Sequence, residues 1–335
     1  MTLELVDLTV VFHRSGRTSV PAVVGVSLHV DRGQIVGLVG ESGSGKSSLG
    51  RAAVGVYRPS GGKVLFNGEQ VRPLGALARP RSQIGLQMVF QNPFQSLNPR
   101  RKIGSQILDG MLGSGIGRRA RRDRVHESLN QLGLPERAAD RYPHQFSGGQ
   151  RQRIAIARAL AVSPSIMVLD EPLASLDASA QAQLSNTLRV LANEANVGML
   201  LISHDLAIVR HVADQLAVMY LGTIVESGPT TDVWNLPLHP YTEALISAIP
   251  KADGKGTLPV AVTGEVGDPA DPPSGCRFHP RCPYARERCV TETPPLVEVA
   301  SGRSVACWLH RPGDAIKLSG DQHPGDLGAP ISAGG

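Results

Sequence analysis

One octapeptide, GESGSGKS from Gly40 to Ser47, constrains the fold of this 335-residue chain more than any other stretch. It follows QIVGLVG, which is typical of a buried strand, and precedes KSSLGRAAVGV, which has a helical pattern. Between a strand and a helix, such glycines let backbone amides turn inward, and the helix start adds a positive field. The pattern G-x-x-x-x-G-K-S in this context predicts a phosphate-binding loop within an α/β fold. We expect the Lys46 ammonium to reach the β- and γ-phosphates of a nucleotide and the Ser47 hydroxyl to ligate Mg²⁺.

Acidic side chains end a second apolar strand, IMVLDEP. Asp170 lies at the carboxyl end of that strand, where open α/β sheets bind ligands, so its carboxylate is expected to hold Mg²⁺ directly or through water. Glu171 is placed to polarise a water molecule aimed at the γ-phosphate. His204 follows another apolar strand, in LLISHDL, and that position favours a contact with the γ-phosphate, with a structural histidine as the alternative.

The elements predicted along the chain give an α/β fold with a helical insertion. Strands are predicted at LELVDLTVVF, VGVSLHV, QIVGLVG, SIMVLDE and VGMLLISH, and a hairpin at QLAVMYLGTIVESG. The last two single strands are continuous apolar runs, which are typical of a largely parallel sheet buried on both faces. Helical patterns dominate between about residues 91 and 164. The pattern changes again after about Pro237, and the stretch KADGKGTLPVAVTGEVGDPADPPSG at residues 251–275 is rich in Gly, Pro and Asp, which predicts a loop or linker.

Charge and hydropathy limit the function classes. The net charge is +5, and much of the excess lies in GRRARRDR at residues 117–124. We interpret this cluster as a solvated helix face, with nucleic acid or anionic lipid as alternatives, and aromatic residues do not interleave with it. The first residues lack a basic n-region, and no run of about 18 uncharged apolar residues occurs, so we expect neither a signal peptide nor a transmembrane helix. The expected compartment is the cytosol.

The stretch FSGGQRQRIAIARAL, residues 146–160, resembles the signature of the ABC ATPases. Four further motifs of that family occur in the family's order along the chain: the Q-loop glutamine as Gln91 in MVFQNPF, the Walker B pair as Asp170 and Glu171, the D-loop as SLD at residues 175–177, and the switch histidine as His204. The resemblance covers residues 1 to about 250 and lacks no motif.

This resemblance implies ATP as the nucleotide and a role for each motif residue. ATP binding is implied for Gly40, Ser42, Gly43, Ser44, Gly45, Lys46, Ser47 and Ser48, with Phe12 as the candidate that stacks on adenine and a core phenylalanine as the alternative at that position. Catalysis is implied for Glu171, His204 and Gln91. Mg²⁺ binding is implied for Ser47, Gln91 and Asp170, and Asp177 belongs to the D-loop.

In the family two ATPase domains sandwich ATP head to tail, so the resemblance implies that one copy cannot complete the reaction. Each nucleotide is held by the phosphate loop of one domain and the signature of the other, here Ser147, Gly148, Gly149 and Gln150. The helix that starts at Gly148 is expected to direct its positive end at the γ-phosphate across the interface. The second domain is either a copy of this chain or a different one.

Two stretches resemble the oligopeptide and dipeptide importers within the family: QNPFQSLNPR, and LPLHPYTEAL at residues 236–245. They imply an ATPase that powers peptide uptake at the cytoplasmic face of the membrane. The implied partners are two transmembrane permease subunits, a second ATPase subunit and, indirectly, an extracytoplasmic solute-binding protein, with no nucleic acid. Nickel or another small solute is the alternative cargo, and a soluble ABC ATPase linked to nucleic acid or the ribosome is the alternative outside transport.

All four cysteines lie near the C-terminus, at Cys276, Cys282, Cys289 and Cys307, with the spacing C-x₅-C-x₆-C-x₁₇-C. This spacing matches neither the C-x₂-C zinc ribbon nor the ferredoxin run, and it leaves zinc, an iron–sulfur cluster and no metal open. The importer subfamily carries a related cysteine pattern, and that resemblance implies a 4Fe–4S cluster held by all four thiolates. In the zinc alternative, His279 or His310 could replace a thiolate.

The predicted organisation is therefore an α/β, P-loop ABC ATPase domain at residues 1–250 with a helical subdomain at about 92–164. A small cysteine-bearing extension follows at 251–312, which the cysteine site is expected to staple together. A disordered tail is predicted at 313–335.

Overall fold

The structure, a computed structural model, describes residues 1–13, 19–75, 79–92, 96–174, 176–250 and 264–310. Several predicted features lie wholly or partly outside these residues: Ser175 of the D-loop, positions 93–95 of the stretch QNPFQSLNPR, positions 251–263 of the linker, positions 311–312 of the extension and the tail at 313–335.

Strands and helices alternate along much of the described chain. The strands are β1 (Thr2–Phe12), β2 (Val20–Asp31), β3 (Ile35–Val39), β4 (Gly61–Phe66), β5 (Glu69–Gln70), β6 (Leu86–Val89), β7 (Ile166–Asp170), β8 (Gly198–Ser203), β9 (Gln215–Tyr220), β10 (Thr223–Pro229), β11 (Val297–Ala300) and β12 (Arg303–Val305). The α-helices are α1 (Lys46–Ala53), α2 (Ile103–Gly110), α3 (Arg118–Gln131), α4 (Gly148–Leu160), α5 (Ala178–Asn193), α6 (Leu206–Val212), α7 (Thr230–Asn235), α8 (Pro240–Ser247) and α9 (Glu287–Thr291).

The strands form two sheets in the described part of the chain. The smaller sheet is antiparallel, in the order β2-β1-β4-β5. The larger sheet has the order β11-β12-β10-β9-β3-β8-β7-β6, and its strands from β9 to β6 run parallel. All residues of β3, β7 and β8 are buried, as their continuous apolar sequences predict for strands covered on both faces. The predicted α/β class with a largely parallel sheet is confirmed.

Among the residues that the structure describes, three α-helices lie between β6 and β7, in the region where the sequence predicts a helical insertion. Helix α4 contacts both α2 and α3. Their shared core is apolar and almost fully buried, with Ile103 and Ile107 from α2, Val125 and Leu129 from α3, and Ile154 from α4. The arginine-rich stretch at 117–124 forms the first half of α3, and most of its side chains are exposed. This placement agrees with the interpretation of that cluster as a solvated helix face.

The cysteine-bearing extension is built into the larger sheet. Strand β12 pairs with β10 in antiparallel register, Glu226 opposite Val305 and Ser227 opposite Ser304, and β11 pairs with β12. The sequence predicts a separate extension held together by its own cysteine site. In the structure, its described part, residues 264–310, contributes two strands to the larger sheet.

A buried ion pair fixes this strand pairing. Arg303 Nη2 of β12 lies 3.0 Å from Glu226 Oε1 of β10, and the two side chains are 5% and 0% exposed. The Glu226 carboxylate also accepts hydrogen bonds from the amides of Leu238 and His239, each at 2.9 Å. The Glu226 carboxylate therefore joins β10 to β12 and to the start of α8, because donors from both are needed to satisfy its buried charge.

We expect Arg303→Ala to lower the free energy of unfolding by about 2–3 kcal/mol. Removing one partner of a buried pair costs about 3–5 kcal/mol, and the two amides that still bind Glu226 reduce that cost. Urea denaturation followed by circular dichroism measures the change. Glu292→Ala is the matched control, because it breaks the exposed pair Arg288–Glu292 and should cost less than about 1 kcal/mol. Equal losses in the two variants would contradict the assignment.

Candidate ATP-binding site

The phosphate loop lies between β3 and α1, and close backbone contacts require its glycines. Gly40, Gly43 and Gly45 have φ values of +152°, +81° and +104°, which side chains disfavour. A Cβ on Gly40 would lie 2.1 Å from the Met219 carbonyl oxygen, and one on Gly45 would lie 2.1 Å from that of Ala22. The loop is pressed against β9 and β2, so only glycine fits at Gly40 and Gly45.

Lys46 opens α1 and reaches back over the loop. Its Nζ donates to the carbonyl oxygens of Gly40 and Glu41, each at 2.7 Å, and to Ser44 Oγ at 3.2 Å. Burial lowers the pKa of Lys46, while nearby carboxylates act in the opposite direction. An ammonium held beside the first amides of a helix is suited to binding phosphate oxygens.

Ser47 and Asp170 meet below the loop. Ser47 Oγ donates to Asp170 Oδ1 at 2.8 Å, and Arg51 Nη2 lies 4.0 Å from Asp170 Oδ2. The Asp170 side chain is fully buried, and its Oδ2 has no hydrogen-bond partner among the described residues. Burial raises the pKa of Asp170, because the ionised form is poorly solvated there. A hydroxyl beside an unsatisfied carboxylate oxygen fits Mg²⁺, which prefers oxygen ligands.

Glu171 directly follows β7 in the left-handed region of backbone conformation, with φ +51°. This conformation is uncommon for a residue other than glycine. Its amide donates to the Ile202 carbonyl of β8 at 3.0 Å, which anchors the turn. Glu171 Oε2 lies 2.9 Å from His204 Nδ1, and the histidine side chain is 60% exposed. The turn thus brings two predicted catalytic groups into contact at the carboxyl edge of the sheet.

The predicted groups line one cavity. Those that line it are Ser42, Gly43, Gly45, Lys46, Ser47, Ser48, Gln91, Glu171 and His204. Gly40 and Ser44 contact Lys46 from within the loop, and Asp170 is joined to the cavity through Ser47. Residues distant in sequence therefore come together around the phosphate loop.

Other lining residues have no signal in the sequence. They are Val20, Pro21, Ala22, Leu221, Gly222 and Pro269. Gly222 in the β9–β10 turn donates its amide to the Ser44 carbonyl at 2.8 Å. Pro269 belongs to the segment predicted as a linker, so the extension contributes to the wall of the cavity.

Phe12 is not among the described residues that line this cavity. Its ring meets the Tyr57 ring edge-on with a centroid distance of 5.1 Å, and it packs against the core of the smaller sheet. The geometry does not support the predicted stacking of Phe12 on adenine, because Tyr57 and the core already contact the ring.

The signature residues lie at the start of α4. Ser147 caps this helix: its Oγ accepts from the Gln150 amide at 3.3 Å, and Gln150 Oε1 accepts from the Ser147 amide at 3.1 Å. A Cβ on Gly149 would lie 2.9 Å from Leu176 Cδ2, beside the D-loop residue Asp177, which caps α5. None of these residues is among the described residues that line the cavity of the same chain.

The four cysteines line one small cavity together with residues of the α8 start, among them His239 and Pro240. All four are free thiols, and burial raises the pKa of Cys282 and of Cys307 to about 12. In the described residues, however, no group of three or more His, Cys, Asp or Glu side chains is arranged to hold a metal ion. The predicted 4Fe–4S cluster and its zinc alternative therefore have no support from the side-chain geometry.

The two histidines considered as substitute zinc ligands already have backbone partners. His279 Nδ1 lies 3.0 Å from the Cys276 carbonyl oxygen, and His310 Nε2 lies 2.9 Å from that of Leu238. A mixed cysteine–histidine site would have to break at least one of these contacts.

The His-Pro-Tyr-Thr element at residues 239–242 supports the phosphate loop. His239 caps α8 by accepting the Tyr241 amide on Nδ1 at 3.0 Å, and burial lowers the pKa of His239 to about 3, so this nitrogen stays free to accept. The Tyr241 hydroxyl in turn accepts the Glu41 amide at 2.8 Å. Sequence reasoning identified this element only as a subfamily feature.

Comparison with known proteins agrees with this geometry. Residues 23–174 match the ABC transporter family, and residues 225–289 match the oligopeptide/dipeptide transporter C-terminal region. The chain is 45% identical over 294 residues to the di/tripeptide transport ATP-binding protein DppF of Pseudomonas aeruginosa. The aligned region covers 87% of this chain and 91% of that protein. It is 44% identical over 296 residues to the oligopeptide transport ATP-binding protein AppF of Bacillus subtilis, and that aligned region covers 87% of this chain and 90% of AppF.

Solved structures show the same fold. A dimeric ATP-binding cassette in a post-hydrolysis state, bound to ADP and phosphate, superposes with a TM-score of 0.60 at 26% identity, covering 68% of this chain and 98% of that one. Within the described residues, none of the helices combines the length and apolar character needed to cross a membrane.

Proposed function

Because this chain belongs to the ABC transporter family of ATP-binding proteins, in its oligopeptide and dipeptide branch, we propose that it is the ATP-hydrolysing subunit of a membrane importer that takes up peptides. The observation that carries the proposal is the single cavity in which Lys46, Ser47, Gln91, Glu171 and His204 meet. The peptide cargo follows from the C-terminal region and from the relatives named above.

In the proposed reaction Lys46 leaves its loop oxygens and binds the β- and γ-phosphates. Ser47, Asp170 and Gln91 would hold Mg²⁺, which neutralises charge on the phosphates when bound. The Glu171 carboxylate accepts a proton from the attacking water, and His204 holds that carboxylate and contacts the γ-phosphate. The remaining predicted loop residues bind phosphate through their amides and hydroxyls.

The signature residues supply the second half of the site. Because Ser147–Gln150 do not reach the cavity of their own chain, we propose that they contact ATP held by a second ATPase subunit. Closure of the two subunits on ATP and opening after hydrolysis would drive two permease subunits, and a solute-binding protein would deliver cargo outside. This arrangement places the chain at the cytoplasmic face of the membrane.

Copurification tests the proposal. We expect the tagged chain, isolated from detergent-solubilised membranes, to carry permease subunits, and the ATP turnover of that complex in liposomes to rise severalfold with di- and oligopeptides and their binding protein. Stimulation of ATP turnover by nickel and not by peptides would identify nickel, rather than peptides, as the cargo. Stimulation of the isolated chain by nucleic acid without any permease would overturn the transport assignment.

For the cysteine cavity we propose a 4Fe–4S cluster held by Cys276, Cys282, Cys289 and Cys307, with zinc as the alternative. The proposal rests on the cysteine pattern that this chain shares with the importer subfamily and on the position of all four thiols around one cavity, although the described side chains are not arranged as metal ligands. The thiols would have to move together and ionise on binding.

Anaerobic purification distinguishes the two metals. We expect roughly four iron and four sulfide per chain, a brown colour, and loss of both in Cys289→Ser. One zinc per chain without iron would support the zinc site, and a metal-free protein with full ATPase activity would exclude both the cluster and the zinc site.

A further inference from the structure

An ion pair connects the cysteine segment to the phosphate loop. Arg281, which immediately precedes Cys282, donates from Nη1 to Glu41 Oε2 at 2.7 Å and from Nη2 to Glu41 Oε1 at 3.0 Å. The arginine side chain is 4% exposed and that of Glu41 is 24% exposed. Two parallel bonds of this kind fix the carboxylate in one orientation.

Glu41 is the second residue of the phosphate loop, and every polar group of it is engaged. Its amide donates to the Tyr241 hydroxyl, its carbonyl oxygen accepts from Lys46, and its carboxylate binds Arg281. The loop is therefore held by two separate residues, Tyr241 of α8 and Arg281 of the extension.

A closely packed aromatic cluster lies beside these bonds. The rings of Tyr220, Tyr241 and Phe278 contact one another with centroid distances of 4.6–5.3 Å, and each residue is at most 1% exposed. The Tyr220 hydroxyl also lies 3.4 Å from Arg281 Nη1. This aromatic cluster joins β9, α8 and the cysteine segment, so a shift of Arg281 would require these rings to repack.

The charge arrangement gives the pair a role beyond packing. The loop must accept a triphosphate, and a free carboxylate at Glu41 would repel it. Glu41 also lies close enough to influence the Lys46 ammonium, so an unpaired carboxylate would compete with phosphate for that lysine. Arg281 neutralises Glu41 and removes both penalties.

We propose that Arg281 is a positioning residue for ATP: it holds the Glu41 carboxylate away from Lys46 and the incoming phosphates, and thereby couples the cysteine-bearing extension to nucleotide affinity. The proposal rests on the proposed ATPase function. It assigns the extension a part in binding the nucleotide that the motif residues alone do not provide.

Titration of the full chain with a fluorescent ATP analogue and Mg²⁺ tests the proposal. We expect Arg281→Ala to raise the Kd about tenfold, and Arg281→Lys to raise it less. In turnover assays the KM for ATP should rise while kcat at saturation stays within about twofold, since Glu171 and His204 are untouched.

The double variant Arg281→Ala/Glu41→Gln separates charge from packing. Because Gln carries no charge, this variant should recover a Kd within about threefold of the wild type. A merely structural role predicts no recovery, and a tenfold loss that persists in the double variant would overturn the proposal. So would an unchanged Kd in Arg281→Ala.

Arg303→Ala is the matched control, because it weakens the attachment of the extension without touching the phosphate loop. At temperatures where Arg303→Ala remains folded, we expect it to bind the analogue with the Kd of the wild type. A tenfold loss of affinity in this variant would also overturn the proposal. Failure of the wild-type chain to bind the analogue would refute the ATPase function itself, so the two failures are distinguishable.

Discussion

Glu171→Gln should lower ATP turnover about 10³-fold while MgATP remains bound, because the amide cannot accept the proton of the attacking water. The substitution keeps the size of the side chain and removes its charge. Steady-state phosphate release measures turnover, and gel filtration with ATP measures the closed dimer, which should accumulate when hydrolysis is blocked.

The control for this experiment is Glu194→Gln at the exposed end of α5, which should leave turnover unchanged. If Glu171→Gln hydrolyses ATP at the wild-type rate, Glu171 is not the base. If it neither hydrolyses nor binds ATP, Glu171 is needed to form the nucleotide-binding site rather than to activate the attacking water.

Lys46→Ala should weaken MgATP binding by about 10²–10³-fold. The lysine supplies the ammonium that faces the cavity from α1, and loss of a close, partly buried charge contact costs about 3–4 kcal/mol. Equilibrium titration with the fluorescent analogue gives the Kd directly.

Two measurements keep this result interpretable. Lys63→Ala on the exposed side of β4 removes a positive charge outside the cavity and should bind as the wild type does. Circular dichroism should show that Lys46→Ala is folded, since the variant loses three hydrogen bonds within the loop. Unchanged affinity in the folded variant would contradict the assigned role.

Much of the site could be predicted from the sequence because its chemistry is carried by short motifs. The phosphate loop, the Asp170–Glu171 pair and His204 each follow an apolar strand, and parallel strands bring their carboxyl ends to one edge. Local pattern therefore sufficed to predict that these groups would meet.

The role of the extension could not be predicted in this way. The pairing of Arg281 with Glu41 and of β12 with β10 joins residues far apart in sequence, and neither leaves a periodic signal. The surroundings of Phe12 could not be predicted for a related reason, because whether an aromatic ring faces a ligand or Tyr57 depends on the fold and not on residue type.

The position of β12 has a consequence for how the protein is made. Strand β10 is synthesised long before its edge partner, so it leaves the ribosome with open hydrogen-bonding groups and with Glu226 lacking its arginine. A chain that stops before Arg303 would contain every ATPase motif and still present an unprotected sheet edge, which is a template for aggregation. Pairing of β12 is therefore the step that covers the edge of β10 and gives the buried Glu226 carboxylate its arginine partner.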